Sequence, residues 1–198
     1  MLYNVGVIYY RGKRFLADEL VSRSFEREKF VGCKFEGVGL RLTSFECCQF
    51  GECDFSGVRF DLTRVVECKF AGCKLSNLDF VEVKLKRSIF EECVMENCVF
   101  QELKLGSGYE KAWKDLRGCG FNRVNLSRSI FVKCRLNEVN FGGSNLKGTG
   151  FEGCDLTRVD LVGVGMENTV FENCKISGTR LGMEGFLRFG EGKGFVLG

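Results

Sequence analysis

Taking every fifth residue from position 15 gives Phe15, Leu20, Phe25, Phe30, Phe35, Leu40, Phe45, Phe50, Phe55, Phe60, Val65, Phe70, Leu75, Phe80, Leu85, Phe90, Met95, Phe100 and Leu105. All are apolar. The series then slips by one residue and resumes as Leu116, Phe121, Leu126, Phe131, Leu136, Phe141, Leu146, Phe151, Leu156, Leu161, Met166, Phe171, Ile176, Leu181 and Phe186. Eighteen of the twenty phenylalanines fall on these centres. Two residues before each centre runs a second column of small or β-branched residues, among them Cys33, Val38, Thr43, Cys48, Cys53, Val58, Thr63, Cys68 and Cys73, and later Cys134, Val139, Ser144, Thr149 and Cys154. Eleven of the twelve cysteines occupy this column. The other three positions of each pentad are mostly charged, Asn, Ser or Gly. One large and one small apolar position in every five residues fits neither a 3.6-residue helix nor an alternating strand. It fits a chain that turns a corner every five residues and sends two side chains inward from each side.

Composition removes whole classes of chemistry. The 198 residues contain no His and no Pro. Without His there is no Ser–His–Asp arrangement, no imidazole acid–base catalysis, and little scope for zinc. The formal charge is +3, from 29 basic and 26 acidic residues. That balance argues against direct nucleic-acid binding. No run of about 18 apolar residues is present, so no membrane span is expected. The opening "MLYNVGVIYYRGKR" places its basic residues after the apolar stretch, with no small-residue cleavage site, unlike a signal peptide. A cytoplasmic protein with reduced thiols is the expectation.

The pentads "CKFEG", "CDFSG", "CKLSN" and "CDLTR" resemble the unit of pentapeptide-repeat proteins: a small residue, a polar residue, Leu or Phe, then two polar residues. The resemblance covers roughly residues 15–186 apart from the slip, and Val5 and Tyr10 keep its register. It implies an all-β fold, a right-handed quadrilateral β-helix in which four pentads make one square coil. Eight to nine coils at about 4.8 Å each would make a rod about 40 Å long. Energetics agree: ordering one pentad costs about 7 kcal/mol, whereas burying its Phe or Leu returns about 1.5–3 kcal/mol. A single coil cannot stand, and stability must come from stacking. The domain reading is therefore residues 1–186 as β-helix and 187–198 as a C-terminal cap or dimerisation tail.

Twenty-residue steps sort the cysteines into ladders: Cys33, Cys53, Cys73 and Cys93 in one, Cys134, Cys154 and Cys174 in another. Zinc ligands converge on one point, whereas these run along the rod, so core lining is the reading and no metal or cofactor is expected. Cys47 alone is out of register and is expected to be an exposed thiol. The glycine-rich "GGSNLKGTG" and "GEGKG" lack the Gly-Lys-Ser/Thr of a phosphate loop, and Gly at tight corners is the plainer reading. Paired acids such as Glu91 and Glu92 occupy solvent positions, so no catalytic residues are assigned.

Three regions remain as candidates for binding. The slip, "GSGYEKAWKDLRGCG" (106–120), reads either as a bulge or short loop forced out by one extra residue, or as a partner-binding loop. In the second reading Tyr109 and Trp113 are anchors, with Lys111, Lys114 and Asp115 around them. Leu42, Leu62 and Val81 point outward on neighbouring coils and suggest an apolar docking strip. Phe186, Leu187, Phe189, Phe195, Val196 and Leu197 would cap the last coil or pair two copies as a homodimer.

In size and layout the chain is most similar to the quinolone-resistance and microcin- or albicidin-immunity group of the family. That resemblance implies a protein partner, DNA gyrase or topoisomerase IV, protected from poisons by a rod that mimics duplex DNA. It also implies dimerisation through the C-terminus. One property departs from that pattern: no column of outward residues is acidic throughout, and the position before each centre carries Lys29, Lys34, Lys69, Lys74, Lys84 and Lys104. A generic interaction or structural rod with an unknown partner is the alternative.

Overall fold

The computed structural model describes residues 7–103, 111–192, 194–196 and 198. Short parallel strands, mostly of two to four residues, stack into a β-solenoid of about eight turns. Each face is a column of pentad centres. On the Phe30 face, Tyr9–Arg11, Lys29–Val31, Gln49–Gly51, Lys69–Ala71, Ile89–Glu91 and Gly120–Asn122 form one six-stranded parallel sheet. Pairing is in register, with Phe30 opposite Phe50 and Phe50 opposite Phe70.

The rings report both the pitch and the square section. Along a face they stack nearly parallel: Phe35 on Phe55 at 4.6 Å and 4°, Phe100 on Phe131 at 4.5 Å and 3°. These spacings match the separation of hydrogen-bonded strands. Between faces they meet edge to face, as Phe30 and Phe45 do at 6.0 Å and 87°. Phe therefore serves twice, as buried area and as a stacking element in the favoured offset and T-shaped geometries.

The small inward column has its own chemistry. Its hydroxyls and thiols donate to the carbonyl of a centre in the preceding coil: Thr43 to Leu20 at 2.9 Å, Cys53 to Phe30 at 3.4 Å, Thr149 to Leu126 at 2.9 Å. A residue there must be small and apolar enough for the interior, and Cys, Ser and Thr also offer a donor.

Corners fall two residues after each centre. Eighteen non-glycine residues there, from Ser22 to Asn173, have positive φ among the described residues. None is Val, Ile or Thr, because a β-branched side chain clashes in the left-handed region. Cys47 is one of them, at φ 55; its displacement from the thiol ladders is that of a corner residue.

The interruption is larger than a slip of one. Phe90 pairs with Phe121 and Phe100 with Phe131, thirty-one residues apart instead of twenty. One coil thus carries eleven added residues, which only looks like one because ten preserve the pentad phase. Glu102–Leu103 pairs antiparallel with Lys111–Ala112, so the addition leaves the rod as a hairpin. Residues 104–110, with Leu105 and Tyr109, lie outside the described residues, as do Val5 and Leu197.

The last strand, Arg180–Leu181, is followed directly by the helix Met183–Gly192. Phe186, expected to be the final repeat centre, lies on that helix, so the coils end five residues earlier than the spacing suggests. No helix among the described residues is long and apolar enough to cross a membrane.

Candidate interaction surfaces

The hairpin root gathers part of the expected binding loop. Trp113 is 42% exposed, and the Arg135 guanidinium lies over its ring at 5.4 Å. A cation at that distance holds the indole by cation–π attraction. Asp115 is engaged by Arg117, whose Nε and second guanidinium nitrogen donate to its two oxygens at 2.8 and 2.7 Å. That fork holds the Asp115 carboxyl below its usual pKa.

Lys114 is a correction. Expected among the charges of a loop, it is only 2% exposed and stands in the inward column, paired in register with Cys134. Its ammonium donates to the Val83 carbonyl at 2.9 Å. Desolvation pushes its pKa down. The strand pairing explains its place: Val83–Lys86 pairs on one side with Thr63–Val66, while Lys114–Asp115 pairs with Cys134–Arg135 above. No main-chain ladder joins the two pairs among the described residues, and the Lys114 side chain spans the break. Lys111 lies on the returning hairpin strand.

A second charged residue in the inward column escaped notice in the sequence. Glu28 is 9% exposed, beside Tyr10, and its Oε2 has no hydrogen-bond partner. Desolvation raises its pKa. From Glu28 to Thr179 it and Lys114 are the only charged residues in that column, a signal available by reading the column end to end.

Leu42 and Leu62 are corner residues of successive coils, 50% and 57% exposed. Val81 is half-buried one position away from their column. At the other end, the helix lays Phe189 against Phe171, rings 5.9 Å and 60° apart, but leaves Phe186 63% exposed. Leu187 is at the edge of exposure and Phe195 and Val196 are open to solvent. Phe195 folds back, donating its amide to Gly190 at 3.0 Å. A cavity of about 370 Å³ lies between coil and helix, lined by Phe171, Ile176, Leu181, Met183, Phe186 and Phe189.

Charge alternates along the rod. Arg41 meets Asp61 one coil on at 3.2 Å, Arg158 meets Glu138 at 3.1 Å, Arg180 meets Asp160 at 2.9 Å, and Arg87 pairs with Glu67. Exposed pairs of this kind contribute about 0–1 kcal/mol each. Each pair neutralises its own two charges locally.

The thiols line the core. Burial pushes Cys98 up to about 12 and Cys119 up to about 11. Cys47 and Cys174 are the two partly exposed cysteines. The Cys47 thiol donates to Glu67 at 3.5 Å, and desolvation together with that carboxylate raises its pKa. Among the described residues no group of His, Cys, Asp or Glu is arranged to hold a metal ion.

The fold is a stacked β-solenoid with a buried apolar core, interrupted by a hairpin and ended by a helix. Residues 112–181 match the family model "Pentapeptide repeat region" and residues 66–102 match the family model "Pentapeptide repeats (8 copies)", together more than half of the chain. The chain belongs to the pentapeptide-repeat family. No curated protein sequence matches it. Among solved structures it is similar to HetL, a pentapeptide repeat protein involved in heterocyst differentiation regulation from the cyanobacterium Nostoc sp. strain PCC 7120. That match is 16% identical, covers 87% of this chain and 82% of that one, and has a TM-score of 0.61. A trypsin-treated form of QnrB1, a plasmid-mediated fluoroquinolone resistance protein, matches with 22% identity over 96% of this chain and 98% of that one, at a TM-score of 0.47.

Proposed function

We propose that the protein is a non-catalytic binding protein whose rod holds a recognition hairpin against a protein partner. The observation that carries this reading is the eleven-residue addition, folded as a hairpin at one corner of an otherwise regular solenoid. Trp113, the first residue after the addition, stands half-exposed at its root, with the Arg135 guanidinium over its ring. Aromatic and arginine residues are those that most often anchor protein interfaces.

The partner proposed first is a type II topoisomerase, gyrase or topoisomerase IV, with protection from poisons as the outcome. Its support is the resemblance in size, interrupting loop and apolar C-terminal tail. Alternating ion pairs give the rod no duplex-like negative stripe, so this binding would run through hairpin and tail, not through charge mimicry. The exposed Phe186, Leu187, Phe195 and Val196 support a second copy at the C-terminal end. The alternative, a rod that docks some other protein, is favoured by the apolar corner at Leu42 and Leu62.

A gyrase supercoiling assay with and without a fluoroquinolone tests the first partner. Relief of poisoning by micromolar protein, lost on excising 102–112 or in Trp113→Ala, is expected. No effect on either supercoiling or poisoning removes the topoisomerase and leaves the alternative.

A further inference from the structure

On the Leu40 face the coils through Phe60 and Phe80 close their corners differently. Arg59–Asp61 runs extended into Leu62, at φ 49. One coil on, Val81 and Glu82 form a turn: the Val83 amide donates to Phe80 at 3.3 Å, and the Val81 amide donates to Asp79 Oδ1 at 2.9 Å. The ladder opens between these two coils. Below it, Arg59 donates to Val38 at 3.0 Å and Leu42 to Asp61 at 2.9 Å; above it, Phe80 donates to Val99 at 2.9 Å. The equivalent main-chain bonds from the amides of Asp79, Phe60 and Leu62 are absent among the described residues, and pairing resumes only with Thr63 donating to Glu82 at 3.1 Å.

The rings register the same opening. Phe60 and Phe80 are 5.2 Å and 33° apart, against 4.7 Å and 7° for Phe80 and Phe100. Of the repeat-centre phenylalanines in the described coils, Phe60 alone is not buried. A groove of about 460 Å³ results, floored by Val58, Phe60 and Val81. Its volume is in the range of about 300–1,000 Å³ typical of ligand sites. Main-chain amides without ladder partners need another acceptor, from water or from a ligand.

We propose that this groove docks an extended segment of a partner protein that carries an apolar side chain beside Lys or Arg. Phe60 and Val81 suit the apolar side chain, and the exposed Leu62 and Leu42 stand in the adjoining corner column. The open amides suit the segment's carbonyls. The groove carries a net negative charge of one, from Asp79 and Glu82 against Arg59, and the neighbouring Asp61 is already neutralised by Arg41. Glu102, where the hairpin departs, occupies the same corner one coil above Glu82, so groove and hairpin form one continuous edge. The proposal rests on the reading of the rod as a binding protein, not on the identity of its partner.

Amide NMR of the full chain, titrated with acetyl-KLKVKL-amide and with acetyl-ELEVEL-amide, tests it. The basic peptide is expected to shift the Phe60, Leu62 and Asp79 amides and to slow their exchange at least tenfold, while the acidic one leaves them unmoved. Leu62→Arg is expected to weaken binding at least tenfold without loss of fold, since Arg27 and Arg87 already occupy equivalent corners. Val81→Arg, which leaves the corner backbone untouched, is expected to do the same. Equal response to both peptides, no response at millimolar peptide, or shifts elsewhere on the rod would overturn the assignment. So would a halving of the native mass in Leu62→Arg by sedimentation, which would make a second copy the occupant. A negative supercoiling assay with intact peptide binding sinks only the topoisomerase; intact protection without peptide binding sinks only the groove.

Discussion

At the scale of the residue, two side-chain positions explain most of the molecule, and Cys47 and Lys114 are the exceptions to them. The inward column takes small donors because each has a carbonyl of the preceding coil within reach. Cys47 escapes that column by standing at a corner, and Cys174 is partly open because its ladder ends there. Native labelling with a maleimide is expected to modify Cys47 and Cys174 first and the ten others only on unfolding. Fast reaction at Cys53 or Cys73 would contradict the register. Lys114 is the costlier exception, a buried ammonium that donates to the Val83 carbonyl. Lys114→Ala removes stem and donor together and is expected to lose about 2–4 kcal/mol in urea unfolding. Lys114→Met keeps the stem and is expected to lose less than half of that. Equal losses would place the whole effect on the Val83 hydrogen bond.

At the scale of the element, the coil is the unit and the hairpin is an addition to it. Excising 102–112 joins Gln101 to Trp113 and restores a twenty-residue coil with Leu116 in the place of Leu105. Loop closure costs change slowly with length. The excised protein is expected to keep its circular dichroism and to unfold within about 1 kcal/mol of the parent, a small change for a surface loop. A collapse of stability would mean that the hairpin closes the rod structurally. Neither the hairpin nor the opened ladder at Phe60 shows in the pentad count. The eleven added residues keep the phase to within one position, and both corner types accept the same centres, so hydrophobic spacing is blind to each.

At the scale of the whole molecule, stability is a stack of similar terms and its pH dependence follows from the thiols. Cys98, Cys119 and Cys154 are held at about 12, 11 and 12 in the fold, above the ordinary thiol value of about 8.5. Groups raised in the fold contribute stability that is complete below the unfolded value and is lost as pH rises toward the folded one. Stability measured by urea is therefore expected to fall from about pH 8.5 to 11, by up to about 1.4 kcal/mol per pH unit for each such thiol. Replacing Cys98 by Val should flatten the fall by one thiol's share. An alkaline profile unchanged by that replacement would show the thiol to be ionised in the fold.

The five-residue spacing alone determined the coil, the core and the buried cysteines. Those follow from which side chains must leave water, a property each residue carries wherever it sits. The charged Glu28 in the inward column is equally legible in the spacing. Tertiary structure alone decided where the repeat stops, that the interruption is a hairpin of eleven residues, that Lys114 faces inward, and that the ladder opens beneath Val81. Each of these depends on which segment lies one coil above or below. That neighbour is set by stacking twenty or thirty-one residues away, and no local pattern in the chain encodes it.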